Sequence, residues 1–267
     1  MRDLFGAAII ASRACATKTE KHWRKLDWTE IRSVLRLAFT EWQTLPEQVR
    51  TDNELCLGGH PNDPFQSKLT LWLCGLGVAH EFILPHRPTY QAQVERNHRT
   101  LNDLTLNEES RSDLPAFQRA LDREHSTCNY DSPARASDCR GAPPLQAHPE
   151  LLNSPRPYRP ECELAPFDIQ HIYDRLATLT LERKVNANGV VSAGGHTYSI
   201  VHKHAGKTVQ VCCDPATREW FFRDSTNAEQ EIARRPVKNL NVALLTGLEE
   251  QPIAVAAPIQ LTLPCTV

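Results

Sequence analysis

The sequence predicts an α/β protein with a core of alternating strands and helices over residues 1–107, a helical then proline-rich connector over 108–167, and a small β-barrel over 168–248. Three observations carry this prediction. Up to residue 107, short β-prone apolar runs alternate with segments whose apolar residues recur every three and four positions. From Pro133 to Pro166 prolines recur at short intervals, which suits an extended connector and not a core. After residue 168, turn-forming pairs such as Asn188-Gly189 and Gly194-Gly195 separate brief β-prone runs, a spacing that suits a small barrel.

The elements follow in order. Small and β-branched residues from Gly6 to Ser12 predict a buried strand over Ala7–Ala14, and the polar stretch Thr17–Lys25 reads as a loop. Asp27 with Glu30 three residues on forms a capping-box pattern. Trp28, Ile31, Leu35, Ala38 and Trp42 then make one apolar stripe of a helix that Pro46 ends. Gln48–Thr51 is short and extended, closed by Asp52, and residues 55–64 are rich in turn formers. A second helix is expected from Phe65 to Leu76, with Gly75 and Gly77 as stop signals, and a strand from Val78 to Leu84. Pro85 and Pro88 break the chain before a third helix from about Thr89 to Leu106, and a further helix is expected over Leu114–His125. Tyr198–Val201, Thr208–Cys212 and Trp220–Phe222 are barrel strands, and residues 249–267 read as a loose tail.

Composition narrows the function. The 267 residues carry a net charge of -2, so contact with nucleic acid must rest on local sites and not on overall charge. Nine cysteines occur without a CxxC pair or zinc-finger spacing, which suits reduced thiols in the cytoplasm. No leader is apparent and no run approaches the roughly 18 apolar residues that span a membrane.

The chemistry centres on Asp52 in RTDNE and Glu95 in QVERNHR. Taken singly, an Asp-Asn pair is commonly a turn and a Glu on a basic helix a solvated ion-pair partner. Together they suggest a metal site. Hydrolysis of a phosphodiester builds charge on the attacking and leaving oxygens, and two metal ions roughly 4 Å apart stabilise both. Mg2+ takes hard oxygen ligands and keeps several waters, so few carboxylates per ion suffice. On a helix, Gln91, Glu95, His98 and Asn102 share one face, with Arg96 and Arg99 beside it, while Val94 and Leu101 face inward. His80 has no metal-ligand spacing and reads as core or edge packing.

RTDNE, the intervening LGVAHEF, and FILPHRPTYQAQVERNHRTL, in that order, resemble the integrase catalytic core shared by bacterial transposases and retroviral integrases. The stretch from Arg183-Lys-Val185 to Trp220 is similar to the small C-terminal β-barrel of Mu-type transposases. The resemblance implies a partial ribonuclease H-like fold over residues 1–107. It also implies Asp52 and Glu95 as catalytic carboxylates holding Mg2+ or Mn2+, and Arg96, Asn97, Arg99 and Lys184 as DNA contacts. The implied function is DNA integration and recombination on transposon ends and target DNA, by a homo-oligomer in the intact parent, in the bacterial cytoplasm at the nucleoid.

Three departures qualify it. The family uses three carboxylates, and the strand bearing the first is expected upstream of Arg2-Asp3-Leu4, so the chain resembles the C-terminal part of a longer transposase. Asp3 as a substitute ligand is the alternative. The 42 residues between Asp52 and Glu95 exceed the family's usual spacing, which a loop insertion absorbs at small cost. Tyr90-Gln-Ala-Gln93 stands where many relatives have a Gly. A non-catalytic DNA-binding or oligomerising remnant is therefore the competing expectation, and an interaction module built on the barrel the third. An isolated core lacking that strand would be unstable.

Overall fold

Asp27 starts the first helix, α1 (Trp28–Glu41), as its capping box requires. Its carboxylate accepts from the Thr29 and Glu30 N–H groups, and the Glu30 carboxylate accepts from Asp27 N–H. In the computed structural model the described residues are 1, 3, 7–16, 25–51, 67–83, 95, 99, 101, 103, 105, 113–134, 136–153, 155–227 and 230–248. They form a mixed α/β architecture.

Leu35, Ala38 and Phe39 of α1 are buried. They pack beside α2 (Lys68–Gly75), where Leu69, Leu71, Trp72 and Leu73 are all buried. A helix apolar on nearly every side must lie inside, and α2 is the centre of the N-terminal layer. It joins two parallel strands, β1 (Gln48–Thr51) and β2 (Ala79–Phe82), with Thr51 opposite Phe82.

The apolar run at the start is buried as expected but is not a strand among its described residues, 7–16, where only Ile9 forms an isolated bridge. Side chains of α3 (Leu114–Tyr130) bind its backbone instead. The Asn129 amide accepts from Ile9 N–H and donates to Ile9 C=O, both at 2.8 Å. Gln118 accepts from Ala14 N–H and donates to Ser12 C=O. Each amide offers the same donor and acceptor that a neighbouring peptide would, so the buried backbone is satisfied without a sheet partner. α3 runs one turn beyond its expected end at His125. Glu95, Arg99, Leu101, Asp103 and Thr105 are helical, and Leu101 packs with Ile9 and Leu121.

The proline-rich tract folds back onto the core. It carries α4 (Pro144–Ala147) and short 3-10 turns at Ser137–Cys139, Pro149–Leu152 and Pro160–Cys162. Tyr158 N–H donates to Gln43 C=O, and Leu45 N–H to Arg156 C=O. The Arg156 guanidinium donates to the carbonyls of Pro46, Leu76 and Gly77, closing the chain ends that follow α1 and α2. Tyr158 and Phe167 belong to the main hydrophobic core. Proline content misleads here because it limits hydrogen bonding but not burial, and aromatic residues between the prolines supply the apolar surface.

The C-terminal part is a four-stranded antiparallel sheet in the order β3 (Thr180–Lys184), β6 (Thr208–Asp214), β7 (Glu219–Asp224), β8 (Glu231–Pro236). β4 (Val190–Ala193) and β5 (His196–Ser199) form a separate hairpin, turned by Gly194 and Gly195, both at positive φ. No hydrogen bonding closes these strands into a barrel among the described residues. Alternation is clean on β6, where Val209, Val211 and Cys213 point inward. That face is covered by Ile172, Tyr173 and Leu176 of α5 (Ile169–Ala177). The last helix, α6 (Val242–Thr246), ends at Gly247, whose φ of 66° is a left-handed cap. Residues 249–267, expected as a tail, lie outside the described residues.

The layers meet around one carboxylate. Glu163 is fully buried, accepts two 2.6 Å hydrogen bonds from Arg36, one from Tyr158 and one from the Trp72 indole. Close by, Gly75 ends α2 against the Phe167 ring, and a methyl group there would overlap that ring. Gly75→Ala should therefore cost about 1–3 kcal/mol by overpacking. The measurement is the urea midpoint at constant m. Phe167→Leu in the Gly75→Ala background should recover part of the loss, and an unchanged midpoint for Gly75→Ala would contradict this packing.

Candidate functional site at the carboxyl ends of the parallel strands

β1 and β2 run side by side in the same direction, so their carboxyl ends lie at one edge of the sheet. In α/β sheets that edge is where ligands bind. Asp52 is the residue directly after β1. Asp52, Arg96 and Asn97 lie outside the described residues. Glu95 and Arg99 are within them, both helical and exposed, four residues apart on one helix face. That helix is anchored on its other side by buried Leu101, whose carbonyl accepts from the Thr105 hydroxyl at 2.6 Å. Among the described residues, no three His, Cys, Asp or Glu side chains converge as a metal-binding group.

At the strand ends the side chains form a polar cluster. Thr51 Oγ1 lies 2.9 Å from His80 Nε2, and Thr70 Oγ1 lies 2.8 Å from His80 Nδ1. Thr70 in turn contacts the hydroxyl of Ser67, the α2 N-cap, at 2.9 Å. The His80 ring tilts against Phe82, with centroids 4.4 Å apart. Val49 and Thr51 share one face of β1 with His80 and Phe82 of β2, because side chains alternate and the register pairs Val49 with His80. On the opposite face Arg50 and Glu81 form an exposed ion pair at 3.1 Å, the sort that contributes little to stability.

Burial lowers the His80 pKa to about 4, so the ring is neutral, with one nitrogen donating and the other accepting. The reading of His80 as core or edge packing fits its half-buried ring against Phe82 but misses its two hydroxyl partners. Thr70 gives no signal of its own in sequence, since only the folded crossing of α2 over the strands brings it to the ring.

Lys184 lies elsewhere, at the end of β3, exposed. It lines a shallow groove of about 570 Å3 with Val185, Asn186, Ala187, Ala205 and Gly206. No helix among the described residues is long and apolar enough to cross a membrane.

The neutral His80 has a measurable consequence. The unfolded ring takes a proton below its ordinary 6.5, whereas the folded ring stays neutral down to about 4. Its contribution to stability is therefore intact above pH 6.5, falls by up to about 1.4 kcal/mol per pH unit between the two values, and levels off below the lower one. Denaturant unfolding of the protein and of His80→Gln across that window should show a shallower pH slope for the substitution. Equal slopes would contradict the assignment.

No protein-family model matches the sequence, and no curated protein matches it.

Proposed function

We propose that this chain is part of a DNA integrase or transposase, built on a partial ribonuclease H-like core and a Mu-type barrel, whose carboxylates Asp52 and Glu95 hold Mg2+ or Mn2+. The observation that carries the reading is that Asp52 follows directly on the end of a parallel strand, while Glu95 is exposed on a helix anchored in the core. The ordered motifs RTDNE, LGVAHEF and QVERNHR support the same reading. The donor set fits such ions, since both groups are hard carboxylate oxygens.

Bound metal would supply charge stabilisation to the phosphoryl group and lower the pKa of an attacking water. The chain's own residues bind and orient. Arg99, on the helix face that carries Glu95, suits a phosphate contact, as do Arg96 and Asn97 by resemblance. Lys184, on the rim of the C-terminal groove, suits a second contact with the duplex backbone. Transposon ends and target DNA are the partners, met by a homo-oligomer at the bacterial nucleoid. The competing reading, a non-catalytic DNA-binding remnant, keeps the contacts and loses turnover.

The test is the full chain with labelled duplex DNA and Mn2+. Nicking or joining abolished by Asp52→Asn and by Glu95→Gln supports strand transfer. Binding without turnover supports the remnant, and no binding at low salt contradicts both. Arg99→Ala and Lys184→Ala should each weaken duplex binding alike across sequences and reduce the salt slope by about 1.

A further inference from the structure

A half-open cavity of about 120 Å3 lies where α2, β5, β7 and α6 meet. Leu71, Tyr198, Trp220 and Leu245 make its inner wall, and all four are almost fully buried. That wall is held in place. The Tyr198 hydroxyl accepts from Lys238 N–H at 3.0 Å, tying the hairpin to the chain that leads into α6, and the Tyr198 ring packs beside Phe222. Close packing rarely leaves a space of this size inside a protein. On the solvent side stand Lys68 and Lys238, both exposed, and the half-buried His196 lines the cavity as well. Among the described residues, no Asp or Glu lines it, and none of these three basic side chains forms an ion pair. Lys238 Nζ donates to Thr197 C=O at 2.8 Å, which leaves two of its three N–H groups for another acceptor.

An apolar wall with basic groups on its open side and no acid suits a small amphipathic anion. The volume is near the roughly 150 Å3 of an apolar cavity that takes up benzene, so one ring fits. A peptide strand laid along β5 is disfavoured, because the Thr197 and Ser199 carbonyls already accept from the Lys238 and Arg235 side chains. We propose that this cavity binds a small aromatic carboxylic acid, its ring against Tyr198 and Trp220 and its carboxylate at Lys68 and Lys238. The site is separate from the DNA contacts and does not depend on them.

Titration calorimetry of the full chain with phenylacetate tests it. Binding should saturate at one site. Phenylacetamide keeps the ring and loses the charge, and should bind about 5-fold more weakly, the most that an exposed charge pair contributes. Acetate, which lacks the ring, should give no measurable binding. Lys68→Met combined with Lys238→Met should erase the preference for the acid over the amide. Leu244 lines the cavity and is 38% exposed, so Leu244→Trp can fill the space without touching the inner wall, and it should abolish binding while the melting temperature holds. The lysine pair decides the matter if Leu244→Trp does not fold. No saturable binding of phenylacetate, equal affinity for the amide, or binding that survives Leu244→Trp in the folded protein would each overturn the proposal. The peptide Gly-Gly-Phe binding more tightly than phenylacetate would overturn it too, and would assign the cavity to a peptide terminus.

Discussion

A single carboxylate, buried without solvent contact, is the constraint around which the chain is assembled. Burial works to raise the Glu163 pKa, but hydrogen bonds from Arg36, Tyr158 and Trp72 outweigh it and hold the group below the ordinary carboxylate value. A buried charge is tolerated only when it is paired and its lone pairs are filled, and Glu163 has its partners on α1, on α2 and within its own tract. Arg36 also donates to the Thr246 carbonyl, and Arg32, one turn earlier, to the Leu245 carbonyl. Two arginines of the first helix thereby satisfy carbonyls at the end of the last one, groups that a helix terminus leaves without partners of its own. The N-terminal layer, the proline-rich tract and the C-terminal helix are held at one point.

The position of the candidate site follows from that assembly. Trp72 reaches Glu163 from the middle of α2, while Thr70 of the same helix reaches His80. α2 therefore links the buried charge to the carboxyl ends of β1 and β2. Arg156 acts alongside, tying the carbonyls after α2 to the start of the strand region at Pro46. The polar cluster at Thr51 sits on a frame fixed from both ends of one short helix.

Much of the fold was legible because it is written in local patterns. Asp27 and Glu30 announce the start of α1, Gly194-Gly195 turns the β4–β5 hairpin, and alternation on β6 shows which residues face inward. The exposed Glu95 and Arg99 and the buried Leu101 also follow from helical spacing alone. What was not legible depends on distant partners. The run at Ala7–Ala14 has strand composition, yet its polar backbone is met by Asn129 and Gln118 more than 100 residues away. The tract around Tyr158 and Glu163 looks like a linker until Arg36 and Trp72 are brought to it. A buried Glu cannot be told from a solvated one by its neighbours in sequence, and the pairing of Thr70 with His80 exists only after α2 has crossed the strands.

The central claim, that Glu163 joins these layers into one unit, is tested most directly by hydrogen exchange of Glu163→Gln against the unchanged protein. Loss of protection at α1 around Leu35–Phe39 and at α6 around Leu245–Gly247, in step with the 158–163 tract, is the predicted result. Faster exchange confined to that tract, with α1 and α6 as protected as before, would contradict it.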